Sequence, residues 1–169
     1  MKTFYSILSA MVAVVLFAPL AGADPGTTWG NKLDDDERFR VLVRFNREAV
    51  LDRETGRVWE QSPDTDERTW FASLFHCYNR NVDDRKGWRL PTIEELASLV
   101  DPTQSNPALP AGHPFRDVES SNYWSATTQT FNTSNAWFVL LGNGNVFVEG
   151  KSNLNLVWCV RGGQGIDGL

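Results

Sequence analysis

The first 23 residues constrain the fold more than any other feature, because they indicate the environment in which the rest of the chain folds. Lys2 precedes an apolar stretch over residues 7–20, which is followed by the small residues Ala21-Gly22-Ala23. A basic start, a short apolar run and a small-x-small site are typical of a secretory signal peptide. We therefore predict cleavage after Ala23 and a secreted or periplasmic protein, with an uncleaved N-terminal anchor as the alternative. No later run is long enough to predict a membrane span in the mature chain.

Export changes the interpretation of the two cysteines, Cys77 and Cys159. Two cysteines are too few for a Cys-rich zinc site or a dense disulfide framework. In an oxidising compartment they are expected to form a disulfide. Closing so long a loop stabilises a fold by about 4 kcal/mol in the chain-entropy model. A redox or nucleophilic cysteine stays open as the alternative, although the chain has no C-x-x-C motif.

Composition limits the class of protein and of partner. Hydrophobic residues make up 41% of the 169 residues, which is enough for a packed core and too many for a disordered chain. Lys and Arg total 16 against 21 Asp and Glu, a formal net charge of -5. Because there is no basic excess to neutralise phosphates, no nucleic-acid partner is predicted.

The patterning along the chain predicts four segments. They are a signal peptide over 1–23, a flexible acidic leader over 24–38, a folded domain over 39–163 and a flexible tail over 164–169. Within the domain, alternating apolar residues predict a strand over 39–45, and two further strands flank a turn at Gly56. Later strands are predicted over 123–127, 136–141, 145–149 and 156–161, with Asn143-Gly144 as a hairpin turn.

Two helices are predicted, over 69–79 and 92–100. Thr69 is the expected N-cap of the first, which carries one broad apolar stripe formed by Phe71, Leu74, Phe75 and Tyr78. The second begins at a capping box between Thr92 and Glu95. Its predicted buried face consists of Ile93, Leu96, Leu99 and Val100. A long proline-rich loop over 101–122 follows, and loops of this length are commonly functional or mobile. The order of these elements predicts an α+β fold.

Four stretches taken together resemble one known family. They are LDRETGRVWE at 51–60, GWRLPTIEEL at 87–96, YWSAT at 123–127 and WCVR at 158–161. In this order and spacing they resemble the Lcl C-terminal domain family, which consists of secreted bacterial domains of unknown function. The resemblance covers about residues 46–162. Arg57 stands where the family's DxxTGLxW motif usually has Leu, a departure to which the sequence gives no functional meaning.

The resemblance implies a C-type-lectin-like fold: two helices with a small twisted antiparallel sheet, and a long irregular loop region that carries ligand sites. It also implies a disulfide between the first helix and the last strand, where Cys77 and Cys159 stand. We expect most motif side chains to be structural. Trp88, Leu90, Trp124 and Trp158 are expected in the core, and Arg89 and Arg161 are expected to pair with carboxylates or backbone carbonyls.

The sequence offers little support for catalysis or metal binding. His76 and His113 lack the spacing of a zinc site, and no Gly-x-Ser-x-Gly motif is present. The Glu-Pro-Asn and Trp-Asn-Asp motifs of calcium-dependent lectins are missing. Oxygen ligands do cluster at Asp117, Glu119 and Asn122, although a solvated acidic loop is the favoured interpretation of them. We therefore predict no cofactor, with calcium as an alternative that no motif supports.

The favoured hypothesis is a non-enzymatic binding module for a glycan or a surface protein. In this hypothesis the 101–122 and 128–135 loops form one polar ligand surface, with Phe131 or Trp137 stacking on a sugar ring, and an ordinary polar loop without a site is the alternative. Its predicted residues are Arg116, Asp117, Glu119, Asn122, Gln129, Asn132 and Asn135. One alternative is a structural or assembly component of the bacterial envelope. Another is an enzyme like the distantly related formylglycine-generating enzymes, which requires free thiols. Oligomeric state does not follow from the sequence.

Overall fold

The computed structural model describes residues 35–162 of the chain. The predicted signal peptide, most of the predicted leader and the predicted tail over 164–169 lie outside these residues. The helices are α1 (Asp35–Arg38), α2 (Trp70–Asn79) and α3 (Ile93–Ala97). The strands are β1 (Phe39–Val41), β2 (Ala49–Asp52), β3 (Arg57–Glu60), β4 (Asp64–Arg68), β5 (Trp88–Arg89), β6 (Asn122–Thr128), β7 (Asn135–Leu140), β8 (Asn145–Gly150), β9 (Asn155–Val157) and β10 (Val160–Arg161).

The described strands form two five-stranded sheets, so the predicted α+β class is confirmed. The first sheet has the order β1-β2-β3-β10-β5 and the second has the order β4-β9-β6-β7-β8. Neighbouring strands are antiparallel except for β6 and β9, which pair in parallel at Tyr123 and Leu156. The predicted hairpin at Asn143-Gly144 is confirmed as the β7–β8 connection, where Gly144 has a φ of 77°.

The predicted last strand over 156–161 is in fact two strands that belong to different sheets. β9 ends at Val157 and β10 begins at Val160, so Trp158 and Cys159 cross from the second sheet to the first. The indole of Trp158 donates to the backbone carbonyl of Glu60 over 2.9 Å. The backbone N–H of Cys159 donates to the Glu60 carboxylate over 2.9 Å. These bonds fix the crossing to the end of β3.

Helix α2 is where predicted, but its apolar stripe does not face the core. Thr69 caps the helix by accepting a hydrogen bond from the N–H of Ala72. The buried face is made by Trp70, Ser73 and Cys77, because the disulfide to Cys159 and the bond from the Trp70 indole to the Ser125 carbonyl hold that side inward. Three aromatic side chains therefore point outward: Phe71, Phe75 and Tyr78, which are 64%, 69% and 76% exposed.

The predicted start of the second helix is confirmed and its end is shorter. Thr92 and Glu95 form both hydrogen bonds of the capping box. The helix ends at Ala97, because Leu99 and Val100 donate to carbonyls three residues back and so close tighter turns. Leu96 and Leu99 are fully buried as expected.

The predicted strand over 39–45 is wrong beyond Val41. Residues Val43–Phe45 form a short 3-10 helix, and Val43 is 71% exposed. The reason lies in the next two residues, Asn46 and Arg47, whose left-handed backbones turn the chain back towards β2. The strand alternation therefore stops where the tight connection over 42–48 begins.

The long loop over 101–122 is irregular, as predicted, yet its apolar side chains are packed. Leu109 and Phe115 are buried in a cluster that includes Trp158. At the other end of the chain, Arg38 falls within the predicted flexible leader but is buried, and it donates two hydrogen bonds to Asp52. In the described part, no helix has the length and apolar character that crossing a membrane requires.

Candidate functional site

Four separate segments surround a cleft of about 640 Å³ on one side of the molecule. Gln61, which follows β3, holds three of them together. Its N–H donates to the Glu48 carbonyl, its carbonyl accepts from the N–H of Arg116, and its side chain donates to the Pro114 carbonyl. The cleft is lined by Asn46, Arg47, Glu48, Gln61, Ser62, Arg80, Arg116 and Asp117.

The backbone of this cleft is strained at three positions. Asn46, Arg47 and Asp117 have φ values of 50°, 63° and 53°, in the left-handed region that side chains disfavour. Such strain persists only where the surrounding contacts impose it, and it is concentrated at functional sites. Here the contacts include a hydrogen bond from the Ser62 hydroxyl to the Asp117 carboxylate, over 2.9 Å.

Three guanidinium groups line the cleft, and two of them have no carboxylate partner within residues 35–162. Arg47 and Arg116 are exposed. Among the described residues, neither takes part in an ion pair or a side-chain hydrogen bond. The third, Arg80, pairs with the buried carboxylate of Glu60 while its own side chain stays 40% exposed. The cleft therefore presents two guanidinium groups without a described counter-charge, beside the exposed carboxylates of Glu48 and Asp117 that also line it.

Glu60 connects this cleft to the core. Its side chain is 2% exposed and accepts hydrogen bonds from Arg80 and from the N–H of Cys159. Burial raises the pKa of the Glu60 carboxyl, and these two donors offset only part of that effect. Because Arg80 follows the last residue of α2, this pair fixes the end of the helix against β3.

The two predicted ligand loops do not form one surface. Residues 101–121 lead into the start of β6, whereas residues 129–134 connect the end of β6 to β7. β6 pairs antiparallel with β7 from Asn122 opposite Leu140 to Thr128 opposite Ala136. A strand of this length spans about 20 Å, so the loops lie at opposite ends of the hairpin. Of the predicted site residues, the structure brings only Arg116 and Asp117 into the cleft.

The remaining predicted site residues lie outside the cleft, and most of them form hydrogen bonds to residues nearby in the chain. Asn135 donates its amide to the Gln129 side chain over 3.0 Å, and Asn132 accepts from the N–H of Ser134. These bonds close a turn between β6 and β7. The Glu119 N–H donates to the Tyr123 hydroxyl over 2.9 Å, and Asn122 is the half-buried first residue of β6. In the predicted stacking pair, Phe131 is 98% exposed and Trp137 is half-buried in β7.

A second group of arginines is fully paired and lies across the first sheet. Glu95 accepts from Arg57 over 2.6 Å and from both terminal nitrogens of Arg89 over 2.6 and 2.7 Å. Burial opposes ionisation of Glu95, but the bonds from Arg89, from the Thr92 N–H and from Arg57 outweigh it and lower its pKa to about 2. The family-atypical Arg57 thus has a structural partner. The expected pairing of Arg89 is confirmed, as is that of Arg161 with the Lys86 carbonyl.

The histidines and acidic residues do not assemble into a metal centre in the described region. His76 lies 3.4 Å from the Asp64 carboxylate, and burial lowers its pKa. Within residues 35–162, no three His, Cys, Asp or Glu side chains are grouped so as to hold a metal ion. The expectation that the protein works without a cofactor stays a prediction.

Sequence reasoning missed Arg47 and Arg80 as site residues. They lie far from Arg116 in the chain, and no local pattern distinguishes them from ordinary surface arginines. Only the packing of the 42–48 connection, the end of α2 and the long loop brings the three together.

The family model described as the Lcl C-terminal domain matches residues 48–161. The chain belongs to the Lcl C-terminal domain family. The match covers more than half of the chain, includes Arg80 and Arg116, and begins just after Arg47. No curated protein sequence matches this chain significantly. The resemblance read from the motifs is therefore confirmed, and so is the Cys77–Cys159 disulfide within this domain.

Proposed function

We propose that this Lcl C-terminal domain protein is an exported, non-enzymatic binding module that holds an acidic group of a glycan in the arginine cleft. One observation carries the proposal: Arg47 and Arg116 border an open cleft without a carboxylate partner among the described residues. A guanidinium donates two parallel hydrogen bonds to a carboxylate or similar anion, so unpaired arginines on rigid backbone suit such a ligand. The volume of the cleft, about 640 Å³, lies in the range of small-ligand sites.

Several features support the rest of the proposal. A disulfide suits an oxidising compartment outside the cytoplasm. Both cysteines are in that disulfide, so the thiol chemistry of the formylglycine-generating relatives has no free cysteine to use. The long loop beside two short sheets, and the bridge from α2 to the segment between β9 and β10, support a C-type-lectin-like fold. Asp117, which packs on Ser62, is proposed to position the loop and not to bind the anion.

The test compares acidic and neutral sugars. Binding of uronate-bearing oligosaccharides and of their neutral counterparts is measured by calorimetry with the purified, oxidised chain. We expect binding of the acidic sugars only, and a loss of about tenfold or more in affinity in R47A and in R116A, because each removes a charged donor. R44A is the matched control, since Arg44 is an exposed arginine outside the cleft.

Two results would contradict the proposal. One is equal affinity for neutral and acidic sugars, since the guanidinium groups would then not select the ligand. The other is binding of acidic peptides in the absence of any sugar binding, which would make the partner a protein. In both cases R47A and R116A show whether the ligand still binds through the arginines of the cleft.

A further inference from the structure

The outward face of α2 has no part in the proposed function, and apart from the edge contact of Phe71 with Trp70 it makes no ring contact within residues 35–162. Phe71, Phe75 and Tyr78 form an exposed aromatic stripe along the helix, whereas Leu74 turns inward and packs against the core. At 100° per residue these three side chains fall within an arc of about 60°. A helix that buries its opposite face and exposes three aromatic rings in so narrow an arc is typical of an interaction surface.

We infer that the exposed aromatic stripe is an interface between two copies of this chain, which pair through antiparallel α2 helices about a two-fold axis. The spacing supports this arrangement. Phe75 lies about 6 Å along the axis from Phe71 and about 4.5 Å from Tyr78. The stripe is thus nearly symmetric about Phe75, so a reversed copy presents the same spacing and places its Phe75 near the axis.

The charge distribution favours the same partner. Residues 70–79 contain no Lys, Arg, Asp or Glu, so a second copy meets no like charge along the helix. Exposed acidic residues Asp66 and Glu67 come just before the start of α2, and the 40% exposed Arg80 follows its end. An antiparallel pair brings Glu67 of one copy towards Arg80 of the other, whose guanidinium already pairs with Glu60, so this contact adds only a weak attraction.

The area suits only a weak, reversible dimer. An aromatic side chain buries about 200 Å², so three rings exposed by about two thirds supply about 400 Å² per copy. Two copies bury about 800 Å² through the rings, which is below the roughly 1,200 Å² of standard specific interfaces and in the range of transient ones. We therefore expect a dimer that dissociates on dilution.

Sedimentation equilibrium of the purified, oxidised chain tests the inference over a wide range of protein concentration. We expect a monomer–dimer equilibrium, and a dissociation constant raised by about tenfold or more in F75E, because a central aromatic residue is the usual hot spot. V43E is the matched control, since Val43 is an equally exposed apolar residue outside α2. Far-UV circular dichroism checks that both variants fold.

The possible outcomes distinguish a second copy of the chain from a lipid surface as the partner of the exposed aromatic stripe. A dimer weakened by F75E and unaffected by V43E supports the inference. A chain that stays monomeric at every concentration overturns it, as does a dimer that F75E leaves intact or that V43E weakens equally. A monomer that binds phosphatidylcholine vesicles through Phe75 would assign the stripe to a lipid surface and overturn the pairing.

Discussion

Two groups of arginines in this protein have the same chemistry and opposite surroundings. Arg57 and Arg89 saturate the carboxylate of Glu95, whose side chain is only 12% exposed. Arg47 and Arg116 line an open cleft and pair with no described carboxylate. The first group ties β3, β5 and α3 together, so its charge is matched within the fold. The second group has no such partner in the described residues, which is the basis of the proposed anion binding. Residue type alone therefore does not separate the two groups, whereas the state of their partners does.

Removing the disulfide should lower the free energy of unfolding more than any other change, because it holds together the fold that positions both groups of arginines. In C77S/C159S we expect the free energy of unfolding to fall by about 4 kcal/mol, because the unfolded chain regains the freedom of a long loop. Urea unfolding followed by fluorescence measures the change, and the wild type with reductant is the control. An unchanged urea midpoint in C77S/C159S would show that the disulfide does not hold the fold that positions the two arginine groups.

Breaking the paired group should lower stability nearly as much. In E95Q the charges of Arg57 and Arg89 lose their counter-charge, and we expect the free energy of unfolding at pH 7 to fall by roughly 2–3 kcal/mol. E94Q is the matched control, since Glu94 is an exposed neighbour on the same helix and should change stability by less than about 0.5 kcal/mol. Similar losses in the two variants would show that the paired group is not special.

The same carboxylate predicts an acid-dependent loss of stability. The folded pKa of Glu95, about 2, lies below its ordinary value of 4.5, so the unfolded chain binds the proton first as the pH falls. The contribution of Glu95 is therefore present above about pH 4.5 and is lost as the pH falls towards 2. Urea midpoints measured across this range should fall more steeply for wild type than for E95Q. Parallel curves would contradict the assignment.

Glu60 lies between the two groups, because its partner Arg80 also lines the cleft. E60A removes the acceptor for the Cys159 N–H and leaves Arg80 without its partner, so we expect a loss of about 2 kcal/mol. E60Q keeps an acceptor and avoids a buried charge, and should stay within about 1 kcal/mol of wild type. Chemical unfolding measures the free energy of unfolding of both variants. If E60Q loses as much stability as E60A, the negative charge of Glu60 is itself needed.

The unpaired group should have the smallest effect on stability. R47A and R116A each remove an exposed guanidinium without a described partner, and we expect changes within about 0.5 kcal/mol. Thermal unfolding measures this alongside the affinity for acidic sugars. Destabilisation comparable to that of E95Q would show that these arginines also serve the fold, and the contrast between the two groups would disappear.

Sequence reasoning succeeded where the signal is local. The capping box at Thr92 and Glu95, the N-cap at Thr69 and the hairpin at Asn143-Gly144 are each confirmed. It fails where distant contacts decide. The apolar stripe of α2 is present, but its aromatic residues face outward because the disulfide and the Trp70 indole hold the other face inward. The predicted ligand surface joins two loops that β6 keeps apart.

Sequence alone establishes the family and the α+β class, because motifs in order and local periodicity carry them. It favours a disulfide between the two cysteines, which the structure confirms. Tertiary packing alone settles which arginines are paired and which have no carboxylate partner in the described residues. Arg47, Arg80 and Arg116 become neighbours through the packing of three separate segments around Gln61. The hydrogen bonds of a guanidinium depend on partners that are remote in the chain, and no local pattern contains them.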